Sequence, residues 1–396
     1  MASIALLTRP PAGPGPVTTP NQIAKPAYTG VSEGNEARKE DPLARFPDKL
    51  SSPLCWDARS FPKGTGDYII QFTADDLASI DNAVTSFRAL NLKDVAMVCP
   101  ENFPLAPGLA QKLRDASDIV HNGRGFSVFR GLSPNGRSDE DNVIAFAGVS
   151  SYIGRDRHAN SNGFAMDHLR DAIRDPKPKG REHVELHPSK MMVPLKFHAD
   201  RNFADVLALY IKSKAASGGQ QYLSSAWTVY NMMKESYPEE LRILVQDFPW
   251  PGVLNEMPHT TYHPVLFEKD GRILCQLVYR VFEGTTLLND SQWRALDTFE
   301  KCANECAIEL DVRPGDIQLV NNLGLLHARR GWIDRPGIER HYYRLGLRDP
   351  ENMWARPDGY EFVFDNRFVT PKEEQVIPVT DFDPYGLTSL DMDGHG

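Results

Sequence analysis

His198 and Asp200 stand two residues apart in KFHAD, residues 196–200. In an extended segment, side chains at i and i+2 point to one face, so this imidazole and this carboxylate can meet at one point. An H-x-D pair arises by chance in many chains, and a metal site needs a third donor from elsewhere. The candidate is His327 in NNLGLLHARRGW, although a satisfied core or surface histidine is the commoner fate of any one His. Two imidazoles and a carboxylate on one face of a metal, with the opposite face open, form the facial site of non-haem Fe(II) oxygenases. Thirteen residues after His327 comes Arg340, and four further on Arg344, in RHYYR. On a strand these two share a face, roughly 13 Å apart at about 3.3 Å per residue. Guanidiniums on an aromatic-rich strand are costly to bury without anions. Acidic side chains would satisfy them. Following a histidine near the end of a strand-rich chain, carboxylate binding by the planar fork is the favoured reading.

Elements must hold these groups in place. VLALYIKS (206–213) reads as an apolar strand, SGGQQ as a turn and QYLSS as a second strand. Ser224 or Ser225 then caps a helix over AWTVYNMMKESY, and Pro238 opens the next. Asp270-Gly271 between two alternating runs predicts a hairpin. SQWRALDTFEKCANECAIEL has helical apolar spacing, DIQLVNN leads as a strand into the His327 loop, and RHYYRLGLRDPE is a last strand stopped by Pro350. Upstream, Thr73 caps a helix carrying Leu77, Ile80 and Val84, and a second amphipathic helix precedes the strand Phe126 to Arg130. Many short strands, flanking helices and no repeat predict an α+β, mainly β fold: a double-stranded β-helix (jelly-roll) core buttressed by helices. Residues 1–50, rich in Pro, Gly, Lys and Glu, predict an irregular N-terminal arm. Residues 51–396 then form one domain, with a helical insertion at 226–247. Residues 155–190 are polar, rich in Pro, Gly and His and without sustained periodicity. Lying just before His198, they predict a lid.

The 396 residues are 41% hydrophobic and 24% charged, with a net charge of -9 and interspersed signs. That is a globular composition. Without a concentrated basic patch, nucleic acid and anionic membranes are poor partners, and a small-molecule substrate remains. No run approaches the roughly 18 apolar residues of a membrane span, and the N-terminus lacks a basic start and a long apolar core. A soluble, cytoplasmic protein is expected. Cys55, Cys99, Cys275, Cys302 and Cys306 are odd in number and show no C-x-x-C, so they read as reduced, mostly buried thiols.

GRGFSVFRGL, KFHAD, SGGQQYLSSAWTVYN, GDIQLVNNLGLLHAR and RHYYRLGLRDPE follow one another between about residues 120 and 350. In this order they make the chain resemble the TauD/TfdA family of Fe(II)- and 2-oxoglutarate-dependent dioxygenases, the clavaminate-synthase-like group, and its fungal members in particular. By position, the resemblance implies His198, Asp200 and His327 as iron ligands. It implies Arg340 as the partner of the distal carboxylate of 2-oxoglutarate, and Arg344 as a contact for an anionic group of the substrate. Members often carry a Thr after the Gly-Gly-acid turn. Here Gln221 takes that slot, and its amide can donate in the same direction. The implied cofactors are Fe(II), 2-oxoglutarate and O2, held at one mouth of a jelly roll. The implied reaction activates O2, releases succinate and CO2, and abstracts hydrogen from a C–H bond of a small carboxylate, amino acid or secondary-metabolite intermediate. Hydroxylation, desaturation or cyclisation follows.

Two alternatives use the same residues. A zinc metallohydrolase could take the His/His/Asp set, but it has no use for an Arg pair matched to a dicarboxylate. A non-catalytic jelly-roll binding protein would be expected to lose a ligand first. The pairs His183/His187 and His259/His263 have i,i+4 spacing but irregular, Pro-containing surroundings, so they read as loop, surface or pocket-rim residues. Trp227 and Tyr230 are expected on a helix core face. Asn321 and Asn322 either hold the backbone that aims His327 or are turn residues. Tyr152 and Met166 are candidates to line the substrate space.

Overall fold

Period-two alternation organises the molecule, a computed structural model that describes residues 41–62, 66–177, 179, 186–252 and 260–381. Along the strand Val206–Ser213, Leu207, Leu209 and Ile211 face one core while Val206, Ala208 and Tyr210 face another. A strand buried on both sides reads as a continuous apolar run for this reason. It lies inside a seven-stranded sheet ordered Ile69–Gln71, Phe126–Arg130, Ile317–Asn321, Val206–Ser213 and His341–Arg348. Asp156–Arg157 and Met166–Arg170 both pair with the outer edge of the last strand. A four-stranded sheet runs Ile308–Glu309, Gln221–Ser225, Leu325–Arg329, Leu195–His198, antiparallel throughout. Phe197, Leu223 and Leu325 of this sheet join Leu207, Leu209 and Ile211 in one apolar cluster, so the two sheets share a core. On the other side of the large sheet the helices Ala74–Ala89, Pro107–Asn122 and Asp139–Ser151 add Ile80, Leu113 and Phe146 to a second cluster. The architecture is mixed α/β and rich in sheet.

Local chemistry accounts for the element ends. Thr73 and Asp76 form a reciprocal capping box. Ser225 Oγ accepts from Thr228 N and caps Ala226–Ser236, whose Trp227 and Tyr230 are buried as expected. Pro238 opens Pro238–Leu244. Asp270 (φ 52°) and Gly271 (φ 75°) join Leu266–Lys269 to Arg272–Cys275, the two positive-φ positions that a type I′ hairpin turn requires. All five cysteines are free, and Cys302 and Cys306 are buried on the helix Asp290–Cys306.

Residues 41–50 contain neither helix nor strand, yet Leu43, Phe46 and Leu50 are buried in the cluster the sheets share, with Phe46 stacked on Tyr230 and Leu50 bonded to Asn231. The rest of the expected arm, residues 1–40, lies outside the described residues. The 155–190 stretch differs from its sequence pattern by contributing two strands to the large sheet. Met166–Arg170 buries Met166, His168 and Leu169 together, which hides the period of two. Its pairing comes from the distant strand His341–Arg348. Among the described residues no helix is long and apolar enough to cross a membrane.

Candidate metal centre

His198 ends the strand Leu195–His198, and His327 sits within Leu325–Arg329 as its cross-strand partner. Antiparallel pairing brings the two rings to 4.0 Å between centroids. Asp200 follows the isolated bridge Ala199–Leu277. Its Oδ1 lies 3.5 Å from His198 Nε2 and 3.7 Å from His327 Nε2, and the donor atoms of all three residues fall within 4.8 Å of one another. Donors about 2.0–2.2 Å from one ion at right angles stand about 3 Å apart, so a small contraction closes this set on a single cation. Two nitrogens and one oxygen suit Fe(II), and three protein donors leave positions for exogenous ligands. His198 Nδ1 lies 2.8 Å from the Lys196 carbonyl oxygen. A carbonyl only accepts, so Nδ1 carries the proton and Nε2 presents its lone pair toward Asp200.

The carboxylate is held by its backbone. Asp200 N–H donates to Asn322 Oδ1 at 2.8 Å, and Asn322 Nδ2 donates to the carbonyls of Asp200 and Ala204, each at 2.9 Å. Asn322 therefore clamps the turn that carries Asp200, while Asn321 Oδ1 accepts from Leu323 and Gly324 in the turn leading to His327. Gly346 lets the neighbouring strand close on the same turn. A Cβ there would lie 2.7 Å from Ala204 Cβ and 2.8 Å from His158 Cβ.

His198, Asp200, His327, Gln221, Arg340 and Arg344 all line one cavity between the sheets. Arg340 is buried, stacked 3.9 Å from the Tyr342 ring centroid and 4.8 Å from that of Trp332. Its Nη1 donates to Leu169 O at 3.2 Å, and its Nε has no hydrogen-bond partner among the described residues. Burial pushes its pKa down. Gln221 Nε2 is likewise buried without a partner among the described residues. Arg344 is placed differently from a free second cation. Its Nε and Nη2 donate to Asp167 Oδ2 at 3.1 and 2.8 Å, and its Nη1 lies 3.6 Å from Asp200 Oδ2. An acid from the 155–190 stretch thus neutralises part of its charge beside Asp200.

Other expectations are corrected. His263 is a core residue and not a rim residue, stacked 4.7 Å from Trp250 with its pKa pushed down to about 3 by burial. Tyr152 OH donates to Phe103 O and accepts from Leu105 N, and Met166 packs in the helix-side core, so both belong to the opposite side of the large sheet from the cavity. His187 caps the turn Pro188–Lys190 through Ser189. His183 and His259 lie outside the described residues. Gln318 and Arg329 are among the lining residues that escaped sequence reasoning. Gln318 carries a faint signal as the polar residue in the apolar run IQLV, whereas Arg329 looks like a surface cation beside Arg330.

A His, His, carboxylate set, with His198 and Asp200 buried and His327 half-buried, facing a cavity supplied with cations, is the working arrangement of mononuclear non-haem iron oxygenases. The model of the taurine catabolism dioxygenase TauD, TfdA family matches residues 90–345. The taurine hydroxylase-like protein SAT17 of Stachybotrys chartarum is 31% identical over 340 residues, covering 83% of this chain and 87% of that protein. FR-33289 synthase of Streptomyces rubellomurinus is 26% identical over 244 residues, 58% of this chain and 70% of that one. Among solved structures, an asparagine oxygenase in complex with Fe(II), 3-hydroxyasparagine and succinate superposes with a TM-score of 0.52 at 15% identity, over 71% of this chain and 94% of that one. The non-heme iron oxygenase OrfP with Fe and alpha-ketoglutaric acid gives 0.53 at 15% identity, over 71% and 93%. The last two are likenesses of fold. The chain belongs to the TauD/TfdA family and is an Fe(II)- and 2-oxoglutarate-dependent oxygenase. With that, the zinc-hydrolase and non-catalytic alternatives fall away.

Proposed function

We propose that His198, Asp200 and His327 hold the Fe(II) of this enzyme, and that Arg340 and Gln221 receive the distal carboxylate of 2-oxoglutarate. The observation that carries this is the Arg340 guanidinium, buried in the cavity of the donor set with an unpartnered Nε. Bound iron and 2-oxoglutarate supply O2 activation and hydrogen abstraction, with release of succinate and CO2. The chain supplies placement. The Lys196 carbonyl keeps the His198 proton on Nδ1, Asn322 fixes Asp200, and the apolar wall of Leu207, Leu209, Leu223 and Val320 excludes water. The seven- and four-stranded sheets that enclose the cavity form a jelly-roll core of one domain, residues 51–396, preceded by the arm at 1–50 and carrying the helical insertion at 226–247. Within 155–190, the strand Met166–Arg170 of the large sheet sets Asp167 against Arg344.

The substrate is an amino acid or a related small carboxylate, oxidised in the cytoplasm in a secondary-metabolite route. Support comes from the hydroxyasparagine and hydroxyarginine held by the structurally similar oxygenases and from the kinship to SAT17 and FR-33289 synthase. Arg344 meets the substrate's anionic group through the edge that Asp167 does not occupy. Succinate release is measured with a panel of amino acids and related carboxylates, and products are read by mass. One class should raise turnover and give a product heavier by one oxygen or lighter by two hydrogens. Equal indifference to every carboxylate, or to Arg344→Ala, would remove this substrate assignment.

A further inference from the structure

Arg329 follows His327 by two residues on the same strand and lines the same cavity. It is buried, and its guanidinium carbon stands 4.1 Å from the Trp332 ring centroid, with Arg340 4.8 Å from the same ring. Two cations thus share one indole. Neither forms an ion pair with a carboxylate among the described residues. The nearby acid, Asp334, is used otherwise: its carboxylate accepts from Trp332 Nε1 and from the backbone N–H of Arg340, both at 3.0 Å. Arg329 Nη2 donates to the carbonyls of Pro188, Met191 and Val193 at 3.3, 3.3 and 2.6 Å. Those dipoles soften its charge without cancelling it. Its Nε has no hydrogen-bond partner among the described residues, and its register partner across the small sheet is Gln221, whose Nε2 is in the same condition. With Gln318 Nε2, also without a partner among the described residues, four buried donors line one cavity, and the two cationic ones favour an anion there.

We propose that Arg329 is a second cation of the cosubstrate site, meeting the distal carboxylate of 2-oxoglutarate together with Arg340 and Gln221. The proposal rests on the reading of this cavity as the 2-oxoglutarate site. Through its other edge, Arg329 ties an occupied site to residues 188–193, which precede His198. Isothermal titration of the Mn(II)-loaded full chain with 2-oxoglutarate and with 2-oxopentanoate, which has the same carbon chain without the distal carboxylate, isolates the contribution. Arg329→Met should weaken 2-oxoglutarate by about 10- to 100-fold, the effect of one charge-assisted contact, and leave 2-oxopentanoate within about twofold. Arg329→Lys, which keeps the charge and loses the fork, should fall between and serves if the Met variant does not fold. A wild-type preference for 2-oxoglutarate retained in either variant would overturn the proposal. So would an equal loss for both keto acids, the mark of a purely structural latch. A wild-type chain that does not prefer 2-oxoglutarate would instead refute the cosubstrate reading itself.

Discussion

Asn322→Ala removes a clamp without touching a metal donor. The side chain makes three hydrogen bonds of 2.8, 2.9 and 2.9 Å, to Asp200 N, Asp200 O and Ala204 O, and is fully buried. Each such bond contributes about 1 kcal/mol net, and each buried group left unsatisfied costs about 1–3 kcal/mol. The two carbonyls retain some access to a water entering the vacated volume, while the Asp200 N–H points into it. A loss of about 3–4 kcal/mol in unfolding free energy follows. Because the freed backbone carries the carboxylate, metal affinity should fall as well, by about 10- to 100-fold, the effect usual for the partners that orient ligands. Urea unfolding measures the first quantity and chelator competition with Mn(II) the second. Asn321→Ala is the control, since its side chain holds the Leu323–Gly324 turn and not Asp200. Metal affinity within about twofold of wild type, together with a full loss of stability, would refute the claim that Asn322 aims the ligand.

Arg340→Met should raise the 2-oxoglutarate dissociation constant by about 100-fold while leaving the stability of the ligand-free chain within about 1 kcal/mol of wild type, because the buried cation it replaces has no carboxylate ion pair among the described residues and only a carbonyl bond and ring contacts to lose. A stability loss above about 3 kcal/mol in thermal unfolding would show that the charge is already compensated. His168 and His263 are held down to about 4 and about 3, burial being the largest cause for each. Both folded values lie below the ordinary value of about 6.5, so below that pH the unfolded chain binds more protons and stability falls as pH falls. By pH 5 the loss should be about 2 kcal/mol for each histidine, and urea unfolding that is flat from pH 7.5 to 5 would contradict it. Gly346→Val should drive the Ala204 turn away from the strand and weaken Mn(II) binding, with chelator competition as the readout; an unchanged affinity would show that the turn yields without moving Asp200.

The convergence of His198, Asp200 and His327 was legible because the chemistry of the pattern is local. His198 and Asp200 share a face by strand geometry alone, and His327 joined them through the order of five motifs. Gln221 was found as the occupant of a family slot, not from its own environment. The Arg344–Asp167 pair was illegible, because it joins residues 177 positions apart across an edge strand whose apolar alternation is hidden. Arg329 was missed for a related reason: nothing in HARR tells a buried guanidinium from a solvated one until Trp332 and the 188–193 carbonyls surround it. The strands at Asp156–Arg157 and Met166–Arg170 depend on pairing with His341–Arg348, a tertiary contact that overrides weak local preference. Where caps and turns are written in two to four residues, as at Thr73, Ser225 and Asp270-Gly271, sequence and structure agree.

Anaerobic equilibrium dialysis of the chain against Fe(II) and 2-oxoglutarate probes the triad directly. One iron and one keto acid per chain are predicted, with retention of the keto acid largely dependent on the metal and with both lost in His198→Ala, Asp200→Ala and His327→Ala. Stoichiometric iron held by any of these folded variants, or keto-acid binding indifferent to iron, would contradict the account.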